Sequence, residues 1–275
     1  MLNNKYPKIL THTSVFKKEN FFGSSHYVVD QNLKLFPNKC PHRGNKIISP
    51  GATKKEFKCG LHGWQWSSDG SPLNNNVTLK PKKASTNKSG LVFLDWEEPT
   101  DTQWVNDLSN DTLEYSHSTK KQGLGDWRWQ MEMHVDLLHV EQIHPLLHSY
   151  VDCNTLKTEY GSDWICQYHN HGWWLFIYPF THIEWEPGCL YLSEMTPKEN
   201  DQGYDVHIHY LFNPNVDTKT KEHFIMMAET TFDEDITAVN EISANSKYRE
   251  PNSNANHKLE KDIHHFYKWL EENTE

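Results

Sequence analysis

Short apolar runs broken by polar punctuation fill the first hundred residues, and longer runs with helical spacing follow. His26-Tyr27-Val28-Val29 and Leu33-Lys34-Leu35-Phe36, set apart by Gly23 and Asp30-Gln31-Asn32, predict short strands. Residues 55–58 predict another. Trp64-Gln65-Trp66 predicts a strand entering a turn, because Asp69-Gly70 is a hairpin signal. Residues 71–90 are polar and rich in Pro and Lys, which suits a loop. Residues 91–96 read as a buried strand. Residues 1–99 therefore predict an all-β domain. Residues 100–125 are polar, mildly acidic and helix-tolerant, and they are taken to open a second domain, 100–275.

In that second part the stretch from Asp126 has few breakers until Pro145, which predicts one helix ending before the proline. Strand-like runs follow at 163–169, 173–180, 189–195 and 204–212. Asn170-His171-Gly172 suits a hairpin turn, and residues 173–178 are apolar on both faces, as in a central strand. Residues 217–248 look helical. Residues 258–272 form an amphipathic pattern with Leu259, Ile263, Phe266 and Leu270 facing inward. The fold class expected is α+β, with an antiparallel sheet covered by helices.

The net charge of −10, from 27 basic and 37 acidic residues, disfavours nucleic acid as a partner. No 18-residue apolar run predicts a membrane span, and no signal peptide is expected from Met1–Leu10. Cys153, Cys166 and Cys189 are odd in number and widely spaced, so they do not suggest a disulfide framework. A reducing, cytoplasmic setting fits.

Two constellations carry chemistry. The first is Cys40-Pro41-His42-Arg43-Gly44 followed by Cys59-Gly60-Leu61-His62-Gly63-Trp64. Thiolates with imidazoles suit zinc or an iron–sulfur cluster. Structural zinc sites tend to take a Cys pair from one loop and a His pair from later in the chain. One Cys and one His from each loop is what a [2Fe–2S] cluster needs when two Cys hold one iron and two His the other. Gly44, Gly60 and Gly63 let the loops turn tightly.

The second constellation is Asp136-x-x-His139-x-x-x-x-His144. Asp136 and His139 would share a helix face, and His144 falls where the helix must stop or distort. Two His from here would be two corners of a two-His–one-carboxylate iron site. For the third corner, Phe232, Ile236, Ala238, Val239 and Ile242 define an apolar stripe that contains Asp235. Asp233 and Glu234 lie roughly 130° from its centre. A carboxylate aimed at the core is costly unless paired or metal-bound, so Asp235 is the candidate.

Residues 40–64 resemble the Rieske motif. They lack the extra Cys of respiratory Rieske proteins, since Gly44 and Leu61 stand there. With the Asp-x-x-His-x-x-x-x-His spacing and the late helix carrying Asp235, nearly the whole chain resembles the catalytic (alpha-type) subunit of Rieske non-heme iron oxygenases. Arg128–His144 is most similar to the monooxygenase and demethylase kind. The resemblance implies a [2Fe–2S] cluster on Cys40, His42, Cys59 and His62, and Fe(II) on His139, His144 and Asp235. It implies that Asp136 bridges His62 of one subunit to His139 of the next in a head-to-tail homotrimer, the two centres of one chain being too distant for useful transfer. Electrons would come from an external NAD(P)H-dependent reductase or ferredoxin, and O2 would hydroxylate or oxidatively demethylate a small organic substrate. The chain departs from the family in a short run ahead of Cys40 and a compact catalytic domain, which bear on trimer contacts and pocket size. Trp164, Tyr168, Phe176, Tyr178 and His182 are pocket candidates, although core packing competes for each. Two alternatives stay open at this point: a Rieske electron carrier without a working iron site, and a zinc-stabilised binding module.

Overall fold

The computed structural model describes residues 9–17, 21–23, 27–49, 53–54, 57–94, 96, 99–100, 102–198, 203–245 and 257–273. His26, Lys55, Glu56, Asp95 and residues 246–248 of the expected elements lie outside these. The chain divides into two compact units, Lys8–Tyr115 and Ser116–Glu275.

The first unit is built on short strands: β1 (Ile9–His12), β2 (Phe21–Gly23), β3 (Tyr27–Asp30), β4 (Lys34–Pro37), β5 (Thr53–Lys54), β6 (Phe57–Lys58), β7 (Gln65–Trp66), β8 (Lys82–Lys83), β9 (Ser85–Thr86) and β10 (Leu91–Phe93). They form sheets ordered β1-β10-β9 and β5-β2-β3-β4-β8, with β6 and β7 as a separate hairpin. Val28, Phe36, Phe57, Trp66 and Leu79 make a core that takes in the side chains of Cys40 and Cys59. The unit runs past Pro99. Helix α1 (Gln103–Asn110) buries Trp104 completely, and its ring stacks on Trp96 at 6.4 Å. This apolar anchor gathers residues 102–115 into the first unit, whereas the polar sequence suggested a boundary near 99.

The second unit carries a seven-stranded sheet ordered β11-β17-β16-β15-β14-β13-β12. Its strands are β11 (Glu114–Gly123), β12 (Lys157–Tyr160), β13 (Trp164–Tyr168), β14 (Trp173–Ile177), β15 (Thr181–Glu186), β16 (Cys189–Pro197) and β17 (Tyr204–Phe212). From β12 to β17 the strands form an antiparallel meander. All five residues of β14 are buried, as its two-sided apolar pattern requires. Three strands of this sheet escaped the sequence reading: β11, β12 and β15. β11 occupies a sheet edge, where a polar ten-residue strand is stable because only one side is paired. β15 begins just after Pro179, which ends the apolar run that the sequence reading extended to residue 180.

Helices α2 (Trp127–Val135), α3 (Val140–Ile143), α4 (Pro145–Tyr150), α5 (Thr218–Ala244) and α6 (Lys261–Asn273) complete this unit. α2, α5 and α6 share one apolar core with the sheet. Ile263, Phe266 and Leu270 of α6 point into it as expected. The single helix expected from Asp126 to Pro145 is instead three. Asp136 leaves α2 with extended backbone, and its Oδ1 accepts from the Leu138 amide at 2.7 Å, so a local side-chain turn replaces the helical bond.

One glycine is fixed by close approach. A Cβ on Gly123 would lie 2.1 Å from Cζ of the fully buried Tyr204. Gly123→Ala is expected to destabilise by about 1–3 kcal/mol, read as a fall of several degrees in melting temperature. An unchanged melt would show that the Tyr204 ring yields freely.

Candidate metal centres

In the first unit, the two loops of the first constellation fold alike. The Gly44 amide donates to Cys40 O at 2.8 Å and Gly63 to Cys59 O at 3.0 Å, while the Cys40 and Cys59 amides reach Asn45 O and Trp64 O. Both glycines adopt left-handed backbone, with φ 75° and 74°, where other residues are strained. The result places Cys40 and Cys59 inward, at 2% and 1% exposure, and His42 and His62 outward with ring centroids 4.6 Å apart. Trp64 stacks on His42 at 4.7 Å.

The two thiols hydrogen-bond each other. Burial pushes Cys40 up. Burial acts the same way on Cys59, but the amides of Leu61 and His62 and the Asn45 side chain, 3.7 Å from Sγ, bring it down overall. Amides aimed at sulfur are what a coordinated thiolate uses. Among the described residues, no three donor atoms of this group lie within 4.8 Å of one another. Ligands of one tetrahedral zinc would stand about 3.5 Å apart. The donor set therefore fits a two-iron cluster, with thiols at one end and imidazoles at the other.

In the second unit, the helix break turns His139 and His144 toward each other, their Nε2 atoms 3.1 Å apart. Asp235, on α5 and 2% exposed, places Oδ1 2.8 Å from His144 Nε2 and 3.5 Å from His139 Nε2. Three ligands meeting an ion at right angles with bonds of about 2.1 Å would be about 3 Å apart, so the trio fits one metal ion and leaves its other positions open. Burial opposes charge on His139, yet the carboxylates of Asp136 and Asp235 outweigh it and lift His139 to about 9. Burial would also raise Asp235, but hydrogen bonds from His139 and His144 hold it well below the usual carboxylate range.

Each member of the trio has a polar neighbour behind it. Glu234 Oε2 lies 2.7 Å from His144 Nδ1, and Asp136 Oδ2 lies 3.3 Å from His139 Nδ1. The Glu234 contact favours the proton on His144 Nδ1 and leaves Nε2 free for a metal; Asp136 sets a negative charge beside His139 Nδ1. Asp235 Oδ2 faces the Gln130 side-chain amide at 3.4 Å, and Gln130 Oε1 accepts from Tyr204 Oη at 2.6 Å. The sequence reading passed over Glu234, Gln130 and Tyr204. Glu234 lies off the apolar stripe of α5 but is long enough to reach His144.

The trio opens onto a cavity lined by residues of α2, α4, α5 and the sheet. Of the five aromatic pocket candidates, His182 lines it; Trp164, Tyr168, Phe176 and Tyr178 do not. Phe176 stacks on His182 at 4.3 Å, and Tyr178 packs on Trp269 at 5.3 Å. Glu184, Glu186, Trp174, Tyr191 and Tyr150 line it instead. Burial, then the charge of Glu186, pushes Glu184 up to about 8, and burial pushes Glu186 up to about 7. No helix among the described residues is long and apolar enough to cross a membrane.

Two family models match the chain: the Rieske [2Fe-2S] domain over residues 8–83, and the ring hydroxylating alpha subunit (catalytic domain) over residues 159–275. The first spans the four cluster candidates and the second spans Asp235. The chain is 32% identical to benzene 1,2-dioxygenase subunit alpha of Pseudomonas putida over 82 residues, 25% of this chain and 18% of that protein's length. Choline monooxygenase of Beta vulgaris is 22% identical over 94% of this chain and 69% of its own. The carnitine monooxygenase oxygenase subunit of Escherichia coli is 21% identical over 80% and 70%. Among solved structures, the quaternary ammonium Rieske monooxygenase CntA bound to L-carnitine aligns with a TM-score of 0.76, 18% identity, and 98% and 89% coverage. Dicamba monooxygenase aligns at 0.59, with 11% identity and 97% coverage of each chain. At these identities the structural likeness speaks to the fold.

Proposed function

Because the chain belongs to the Rieske oxygenases, a Rieske [2Fe–2S] domain joined to a ring-hydroxylating alpha-subunit catalytic domain, we propose that it uses O2 to hydroxylate or oxidatively demethylate a small organic substrate. The observation that carries this reading is the convergence of His139, His144 and Asp235 at one wall of the cavity. When bound, the cluster would supply single electrons and the lone ferrous ion would activate O2 for attack on a C–H bond.

The protein's own groups do the rest. Cys40 and Cys59 would hold one iron of the cluster, and His42 and His62 the other. Their exposed imidazole edge suits electron exchange with an external NAD(P)H-dependent reductase or ferredoxin. His139, His144 and Asp235 would hold the lone iron, with Glu234 and Asp136 fixing the two rings. Asp136 keeps 16% of its side chain accessible. Its carboxylate would meet His62 of a neighbouring copy in a homotrimer. One structural relative is described in connection with inter-subunit electron transfer, which supports this arrangement. Phe232, Leu147 and Met133 give the cavity apolar walls that exclude water. The choline and carnitine monooxygenase relatives support monooxygenation over dihydroxylation.

Anaerobic reconstitution tests the reading. The protein should take up about three irons and two acid-labile sulfides per chain, and its reduced form should give a Rieske EPR signal. A cluster that forms without a third iron would make the chain an electron carrier. A colourless product that binds zinc would make it a zinc-stabilised module.

A further inference from the structure

We propose that Glu184 and Glu186, with Trp174, Tyr150 and Tyr191, form a subsite that seats the positive head of a small organic ammonium substrate in the cavity of the candidate iron centre. This deepens, and rests on, the oxygenase reading. His182, Glu184 and Glu186 alternate along β15 and so share one sheet face. The register sets Trp174 of β14 and Tyr191 of β16 on either side of Glu184, and both side chains hydrogen-bond to it. Tyr150 Oη donates to Glu186 at 3.1 Å. All line the cavity that His139, His144 and Asp235 also line.

Two carboxylates on one face of a half-buried cavity are costly without a countercharge. Among the described residues lining this cavity there is no Lys or Arg. An ammonium head would supply the missing charge, and the Trp and Tyr faces beside it would add cation–π attraction.

His182 gives an independent pointer. It is 6% exposed and lines the same cavity; its Nδ1 is 3.2 Å from Tyr191 Oη, and its Nε2 has no hydrogen-bond partner. With an ammonium head ionising Glu184, the Tyr191 O–H donates a hydrogen bond to that carboxylate, and His182 Nδ1–H donates to the Tyr191 oxygen. This assigns the tautomer from the network and leaves Nε2 an acceptor. A ligand carrying an O–H or N–H next to its ammonium group would satisfy it.

Calorimetric titration of the holoenzyme with choline and with its uncharged carbon isostere, 3,3-dimethylbutan-1-ol, tests the subsite. Choline should bind at least tenfold more tightly. The Glu184→Gln/Glu186→Gln variant should lose that preference and bind the isostere no worse. Equal affinities in the unaltered protein would overturn the proposal without any variant. So would choline binding weaker than about 10 mM, or a preference that survives in the double variant. Iron content in the same samples reads the metal centre separately. Full iron with no charge preference sinks the subsite alone, whereas a charge preference without a third iron keeps the subsite and sinks the oxygenase reading.

Discussion

Asp235→Ala is expected to leave the Rieske EPR signal intact, lose the lone iron and cut turnover by more than about a hundredfold, beyond what removal of a ligand's supporting group costs. Asp235 is 2% exposed and meets both His139 and His144 through one oxygen. Its removal leaves two imidazoles, one corner short of the proposed facial triad. The cluster loops lie in the other unit and should not respond. Two neighbours on the same helix grade the test. Asp233 is 69% exposed and pairs with Lys121, so Asp233→Ala should be near neutral. Glu234 only supports His144, so Glu234→Gln should weaken iron affinity by about 10–100-fold. Normal turnover in Asp235→Ala would refute the ligand assignment. A larger loss from Asp233→Ala would place the third ligand on the other face of α5.

Asp136→Asn is expected to retain both metal centres while slowing single-turnover electron transfer at least about tenfold, the smallest cost usual for loss of such a supporting group. Asn can still accept from the Leu138 amide, so the turn that separates α2 from α3 should survive. What disappears is the charge 3.3 Å from His139 Nδ1 and, in the proposed trimer, the link to a neighbour's His62. Stopped-flow bleaching of the reduced cluster in the presence of substrate and O2 measures that step directly. A rate equal to wild type would remove Asp136 from the transfer route, and loss of iron would make it a structural support of His139 alone.

Much of this was legible because it is local. The cluster loops are defined by residues within six positions of each other, and their glycines announce the turns that the structure contains. Asp235 was legible because a carboxylate inside an apolar stripe is a conflict that needs a partner, and the partners proved to be His139 and His144. The helix break was harder. Asp136 turns the chain with its own side chain, and periodicity alone reads through such a residue. β11 hid because an edge strand can be polar on both faces. β15 hid because its cavity face carries His182, Glu184 and Glu186, which look like loop residues. With that strand unseen, the cavity lining was sought in core aromatics such as Tyr178.

α5 runs 27 residues, about 40 Å of continuous helix. Phe224, Thr231 and Phe232 on it contour the cavity, and Asp235 stands less than one turn further on. A rod of this kind transmits any displacement of one turn to the next, so reshaping the cavity from this side would drag the proposed metal ligand along. The strands β14 to β16 bear no such ligand. Evolutionary drift in substrate preference, and laboratory libraries seeking new preferences, should therefore find their productive changes on the sheet wall, with the helix as the invariant chassis.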